Sequence, residues 1–167
     1  MIELRECQVC HGDMIPCTGP IKTDCLVVWD DLTEESYKDG KISSQFGWTV
    51  LRHELSRWGV DLYQLRVAPM WYHPPTKIKG DYDYHIQQTI LEAMGKKFVL
   101  LLGSEATKFF LNLNSIACSG LVLQSDLLGA KYVIGTQNPN DVLSKSAGEF
   151  QLGIEKFAKF YKQERTK

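Results

Sequence analysis

The chain lacks an excess of charge of either sign, since 19 lysines and arginines stand against 20 aspartates and glutamates in 167 residues. A near-neutral protein has no global attraction to nucleic acid or to an anionic membrane, so any such attraction has to come from a local patch. Long hydrophobic runs are missing as well, because the longest, FVLLLG, is far shorter than the roughly 20 residues that cross a bilayer. With no basic and then apolar leader at its start, the sequence predicts a cytosolic protein without a membrane partner.

Internal repeats, low-complexity tracts and linkers are also absent from the sequence. The length suits one compact domain with a full hydrophobic core. The sequence therefore predicts a single domain, residues 1–167, and a monomer. Within that domain only residues 1–24 stand apart, as an N-terminal segment that contains cysteines.

Short apolar runs alternate with helical patterns along the chain. The runs are typical of strands and cover residues 25–29, 62–70, 98–102 and 131–135. Two helical patterns end at Gly59 and Gly95, respectively. A third begins with Ser104 in an N-cap position, and a fourth covers residues 147–163. Strands that alternate with helices favour a parallel sheet covered on both faces. The predicted fold is an α/β three-layer αβα sandwich around a four-stranded, mostly parallel sheet.

Four of the five cysteines lie in the first 25 residues. Cys7 and Cys10 form a Cys-x-x-Cys pair, whose intervening turn aims both sulfurs at one metal ion. The alternative is that these cysteines are small, buried apolar residues of a reducing compartment. Burial is the interpretation for Cys25, which begins a predicted strand. Further metal ligands have to come from Cys17, His73 or His85.

A polar stretch, GTQNPNDVLS, follows the last predicted strand at residues 135–144. Open α/β sheets bind ligands beyond the carboxyl ends of their strands, so this loop is a candidate site at the protein surface. A plain turn is the alternative, because asparagine, proline and aspartate are turn residues in their own right.

Four segments in this order resemble a known family: WDDLT after the first strand, WYHPP after the second, VLLLGSEATKFFL, and NPNDVL after the last. Together with the N-terminal Cys-x-x-Cys, they are similar to the iron–sulfur uracil-DNA glycosylases, the family-four branch of that superfamily. The resemblance covers nearly the whole chain and implies a uracil-DNA glycosylase-like fold. It also implies DNA, single- or double-stranded, as the partner.

The resemblance implies catalytic roles for two residues. Asp30 aligns with the family's acid, and Asn138 aligns with the histidine of its His-Pro-Ser loop, which holds the charge on the departing base. The implied base pocket contains Asp31, Phe46, Trp71 and Tyr72. The uracil-reading asparagine of the family has no counterpart between residues 66 and 68. The expectation is a base-excision glycosylase for uracil or another modified base; the alternative is an inactive accessory module that binds DNA or a replication or repair protein.

The loop after Asn138 occupies the family's DNA-intercalating position. Leu143 is expected to wedge the duplex, and the neighbouring polar side chains are expected to hold phosphates. The predicted DNA-binding residues are Pro139, Asn140, Leu143, Ser144, Lys145 and Ser146. An N-cap role for Ser146 is compatible with this function.

The metal ligands implied by the resemblance differ from those of the family. The family holds a [4Fe–4S] cluster with four cysteines, but Tyr72 stands at the third position here. The available set is Cys7, Cys10, His73 and His85, with Cys17 as a substitute. Two thiolates and two imidazoles suit tetrahedral zinc, whereas [4Fe–4S] clusters use four cysteines. Zinc is therefore favoured over a cluster, no metal remains the alternative, and catalysis itself requires neither cofactor.

Overall fold

A four-stranded parallel sheet forms the centre of the structure. The computed structural model describes residues 14–71, 81–142 and 147–167, with the backbone alone for residues 81–83. The strands are β1 (Cys25–Trp29), β2 (Arg66–Pro69), β3 (Phe98–Leu102) and β4 (Tyr132–Thr136), in the order β2-β1-β3-β4. The predicted three-layer α/β fold is confirmed, and these four strands are all parallel to their neighbours.

Helices cover both faces of the sheet. One face packs against α2 (Phe46–Arg57) and α5 (Ala147–Arg165), and the other packs against α3 (Asp81–Ala93) and α4 (Ser104–Leu111). Successive strand residues point to opposite faces, so both faces need apolar side chains. The run FVLLL of β3 meets this need, since all five residues are buried. None of the helices in the described ranges has the length and apolar character that crossing a membrane requires.

Several element boundaries differ from the sequence-based prediction. Strand β2 begins only at Arg66, because residues 62–64 form a 3₁₀ turn in which the Asp61 carboxylate accepts a hydrogen bond from the Tyr63 amide at 3.0 Å. Strand β4 lies one residue later than predicted. The N-cap position of α4 belongs to Gly103, while Ser104 is its first helical residue. The short helix α1 (Glu34–Asp39), which follows β1, was not predicted.

The strand order creates a crevice between β1 and β3. The chain leaves β1 for β2 on one side and later returns to β3 on the other side. Ligands of open α/β sheets bind at such a point of reversal, beyond the carboxyl ends of the strands. We call this end of the sheet the carboxyl edge; the opposite end, where the strands begin, is the amino edge.

Candidate functional site

Asp30 fills the crevice between β1 and β3. Its side chain is almost completely buried, with 2% of the residue exposed. One carboxylate oxygen accepts hydrogen bonds from the Asp31 amide at 2.6 Å and the Asn138 side chain at 3.0 Å. The other accepts from the amides of Glu105 at 2.8 Å and Ala106 at 3.3 Å. Burial raises the pKa of Asp30 from 3.8 to about 6, against the opposing effect of these four hydrogen bonds.

The start of α4 is closed to an external anion because Asp30 already occupies it. In many α/β proteins the first amides of such a helix hold a phosphate. Gly103 makes the close approach of the carboxylate possible: its φ is 111°, and a Cβ at this position would lie 1.9 Å from an Asp30 oxygen. The crevice is therefore built around an internal carboxylate.

Asn138 connects the loop after β4 to the loop after β1. Its amide nitrogen donates to the Asp30 carboxylate and, at 2.9 Å, to the Asp31 carbonyl. Its oxygen accepts from the Trp29 indole and from the Asn140 amide, both at 2.9 Å. With 5% exposure Asn138 is buried, although Asn140, Asp141 and Val142 of the same loop are partly exposed. Its role toward a departing base stays a prediction, and both of its amide hydrogens are used inside the protein.

Asn140 anchors the same loop to the start of α2. Its side-chain oxygen accepts from the Gly47 amide at 2.8 Å, and its nitrogen donates to the Gln45 side chain at 2.8 Å. A Cβ at Gly47 would lie 2.4 Å from the Asn140 oxygen, so only glycine permits this contact. Pro139 is buried beside it, whereas Phe46 of the predicted base pocket is 54% exposed. The DNA-binding roles of Pro139 and Asn140 stay predictions.

Acidic groups surround the mouth of the crevice. Asp31 is exposed, and its pKa is raised by partial burial and then by the charges of Glu105 and Asp141. The pKa of Tyr37, on α1, is also raised, first by burial and then by Asp31 and Glu105. The carboxyl edge is thus an acidic region with a protonated phenol beside it.

Trp71, another residue of the predicted base pocket, is only 8% exposed. Its indole donates to the Glu105 carboxylate at 3.2 Å and so fixes that acid. Stacking of Trp71 on a base stays a prediction. The other site candidates lie outside the described residues: Cys7, Cys10, Tyr72, His73, Leu143, Ser144, Lys145 and Ser146.

A cleft of about 570 Å³ opens at the carboxyl ends of β3 and β4. Its lining consists of Ser104, Asn114, Ser115, Ile116, Gln137, Asn138 and Asp141. Gln137 is buried, its oxygen accepts from the Thr136 hydroxyl at 2.8 Å, and its amide nitrogen has no hydrogen-bond partner among the residues that the structure describes. An unpaired buried donor costs about 1–3 kcal/mol. Most of the lining residues are polar and one is an acid, so the cleft offers a small ligand both hydrogen-bond donors and acceptors.

Two candidate metal ligands lie within the described ranges. His85 is buried in α3, and Cys17 is buried in the apolar cluster on the face that α3 covers. No group of three potential metal ligands occurs among the residues that the structure describes. Cys25 is fully buried, as predicted, and burial raises the pKa of its thiol.

Comparison with protein-family models and with the curated proteins gives no significant match to this chain. The resemblance to glycosylases therefore depends on the motifs of the sequence itself. Sequence reasoning missed the contributions of Tyr37, Gln45, Gly47, Gly103 and Gln137. Of the two glycines only Gly103 had a detectable signal, because it stands between the predicted strand 98–102 and the helix that begins at Ser104, where close backbone approach is common.

Proposed function

We propose that the protein binds DNA in the manner of a uracil-DNA glycosylase and that its carboxyl edge receives a base extruded from the DNA. The observation that carries this proposal is the hydrogen bond between Asp30 and Asn138, 108 residues apart in sequence. It joins the loops after β1 and β4, which correspond to the two catalytic loops of the family that the sequence resembles. Both loops lie at the end of the sheet where α/β proteins bind ligands.

The charge of the carboxyl edge supports a base as the ligand more than a phosphate. Asp31, Glu105 and Asp141 repel an anion, and Asp30 already occupies the amides of α4. A nucleobase has no formal charge and offers both N–H donors and carbonyl acceptors. The adjacent cleft of about 570 Å³ is within the usual range of roughly 300–1,000 Å³ for small-molecule sites.

In the proposed reaction Asp31 is the general base. A water molecule attacks the sugar carbon C1′ of the extruded nucleotide, Asp31 takes a proton from this water, and the glycosidic bond breaks with its electrons leaving on the base. The raised pKa of Asp31 makes it a stronger base than an ordinary aspartate. Asp30 and Asn138 act as positioning residues, since they bind the amide and the carbonyl of Asp31, respectively.

Single-turnover release of free base from duplexes with uracil or other modified bases tests this proposal. We expect Asp31→Asn to lower the rate by roughly 10²- to 10⁴-fold, the usual contribution of a general base. Glu34→Gln is a matched control, because Glu34 is an exposed acid at the start of α1. If the wild-type protein releases no base from any duplex, excision is excluded.

A second candidate function is a glycosylase-like module that binds DNA or a replication or repair protein without catalysis. The observation that favours it is the internal use of both Asn138 amide hydrogens, which leaves this side chain no free donor for a departing base. In this case Lys145→Ala and Leu143→Ala are expected to weaken DNA binding while no base is released. Absence of DNA binding at low salt favours a protein partner instead.

We also propose a structural zinc ion held by Cys7, Cys10, His73 and His85, with Cys17 as a substitute ligand. The mixed thiolate and imidazole set supports zinc over a [4Fe–4S] cluster. We expect about one zinc per chain by elemental analysis, and a lower melting temperature for Cys7→Ser, because structural zinc contributes to folding. A brown protein that contains iron would identify a cluster, and a protein without either metal would reject the site.

A further inference from the structure

Six cations gather at the amino edge of the sheet, opposite to the candidate site: Lys22, Lys96, Lys97, Lys131, Arg165 and Lys167. Two of the neighbouring acids, Asp24 and Glu164, form ion pairs with members of this group. Asp24 forms an ion pair with Arg165 at 3.6 Å, and Glu164 forms one with Lys167. The six cations together with Asp24 and Glu164 have a formal net charge of +4, although the whole chain has −1; Glu92 and Asp61 line clefts beside Lys96 and Arg165, respectively.

Hydrogen bonds hold these cations at the starts of β1 and β3. The Lys96 ammonium donates to the carbonyls of Ile21 at 2.6 Å and Thr23 at 2.8 Å, on either side of Lys22. This contact brings Lys22 and Lys96 to one place beside the start of β1. The fold therefore fixes the backbone positions of both lysines beside each other.

Lys97 extends the row toward β4. Its amide donates to the Asp24 carbonyl at 2.9 Å, and its carbonyl accepts from the Tyr132 amide at 3.0 Å. Its ammonium donates to the Glu164 carbonyl at 2.9 Å. Lys131 follows on the next strand, with its ammonium 5.0 Å from the Tyr132 ring centre. The lysines thus follow the order of the strands β1, β3 and β4.

Part of this charge has a structural purpose. Lys97 compensates the carbonyl end of α5, where a cation is favourable. Lys22 and Lys131 are different, because both are exposed and neither makes a hydrogen bond or ion pair with any residue that the structure describes. Their charge is available to a partner.

We propose that the amino edge binds the phosphate backbone of a nucleic acid without reading its sequence. Adjacent strands are about 4.8 Å apart, so a row across β1, β3 and β4 covers about 10 Å. Phosphates of one DNA strand advance about 3.4 Å per nucleotide, and the row therefore faces about three of them. Lysine ammonium groups on flexible stems suit backbone contacts better than base recognition.

This surface is separate from the proposed base site. A five-residue strand is about 16 Å long, so a nucleotide at the carboxyl edge cannot place its own phosphates on the amino edge. The amino edge therefore takes a different stretch of nucleic acid, or a second molecule.

Fluorescence anisotropy with a labelled oligonucleotide that contains no modified base tests the inference in the full chain. The compared variants are Lys22→Gln/Lys131→Gln and the control Lys38→Gln/Lys108→Gln, which removes two exposed lysines elsewhere. We expect the first pair to weaken binding about tenfold at low salt and to lower the log–log salt slope by about 2, one for each lost phosphate contact. The control pair is expected to stay within about twofold of the wild type.

An unchanged affinity and slope in Lys22→Gln/Lys131→Gln, or an equal loss in both pairs, overturns the inference. So does binding of phosphatidylserine vesicles through the same two lysines when the oligonucleotide does not bind. Melting temperatures check that both pairs fold. Failure here leaves the base-release assay of Asp31→Asn unaffected, because that assay tests the opposite edge.

Discussion

The two edges of the sheet carry opposite charge and use their polar groups in opposite ways. At the carboxyl edge, Asp30 and Asn138 turn inward and bind each other and the backbone. At the amino edge, cations such as Lys22 and Lys131 stand in water. The near-zero net charge of the chain is thus the sum of an acidic carboxyl edge and a basic amino edge. The net charge alone does not indicate what either edge binds.

The comparison also concerns stability. Buried hydrogen-bonded groups cost about 1–3 kcal/mol when one partner is removed, whereas exposed ion pairs contribute about 0–1 kcal/mol. The carboxyl edge should therefore respond strongly to substitution, and the amino edge weakly.

The largest effect is expected at Gly103. In Gly103→Ala the new Cβ lies 1.9 Å from the buried Asp30 carboxylate, and the residue has a φ of 111°. We expect a loss of about 3–5 kcal/mol in the free energy of unfolding by urea. Gly95→Ala is the control, because Gly95 also has a positive φ, 77°, but no atom within 4 Å of the new Cβ. Its loss should be about 1 kcal/mol, and equal losses would show that the Asp30 contact is unimportant.

Asn138→Ala should follow, with a loss of about 2–4 kcal/mol. The substitution removes four hydrogen bonds and leaves the Trp29 indole and the Asn140 amide without their acceptor. Asn114→Ala is a suitable control, since Asn114 is exposed and caps only the Ala117 amide. A loss below about 1 kcal/mol for Asn138→Ala would refute the structural role of this side chain.

The pH dependence of stability should reveal Asp30. Its pKa in the folded protein, about 6, is above the ordinary value of 3.8, so the folded state holds this proton more tightly than the unfolded state. The resulting stability is complete below about pH 4 and is lost as the pH rises through 6; the full difference is at most about 3 kcal/mol. Asp30→Asn should lack this contribution. Parallel curves of unfolding free energy against pH for the two proteins would contradict it.

The smallest effect is expected at the amino edge. Arg165→Ala breaks the ion pair with Asp24; the Arg165 side chain is 55% exposed and the Asp24 side chain is 35% exposed. We expect a loss of about 0–1 kcal/mol that disappears in 1 M salt. A loss as large as that of Asn138→Ala would remove the contrast between the edges.

The strands and the helices that cover the sheet were predicted well, because a buried strand is visible in the sequence as a continuous run of apolar residues. β1 and β3 were located to the residue, since their apolar runs face helices on both sides. Helix α1 was missed because its six residues, EESYKD, have no apolar repeat. The sequence predicts a strand from residue 62 because the early part of residues 62–70 is apolar, although the Asp61 cap makes residues 62–64 a 3₁₀ turn.

The candidate site was only partly predictable. Asp30 and Asn138 were selected by their position after strands and by resemblance, and the structure brings them into contact. The direction of their hydrogen bonds depends on residues more than 70 positions away, such as Glu105 and Asp31. Such distant pairing has no periodic signal in one sequence, so the burial of Asp30 and the exposure of Asp31 could not be predicted.

The carboxylate of Asp30 at the start of α4 acts as a tethered ligand. An incoming phosphate or sulfate would have to displace a group that loses no translational freedom on binding, and whose effective concentration far exceeds that of any solute. The protein is therefore insensitive to anions at this position whatever the buffer. The amides of Glu105 and Ala106 could bind either the Asp30 carboxylate or an external anion, and in the folded chain both bind Asp30.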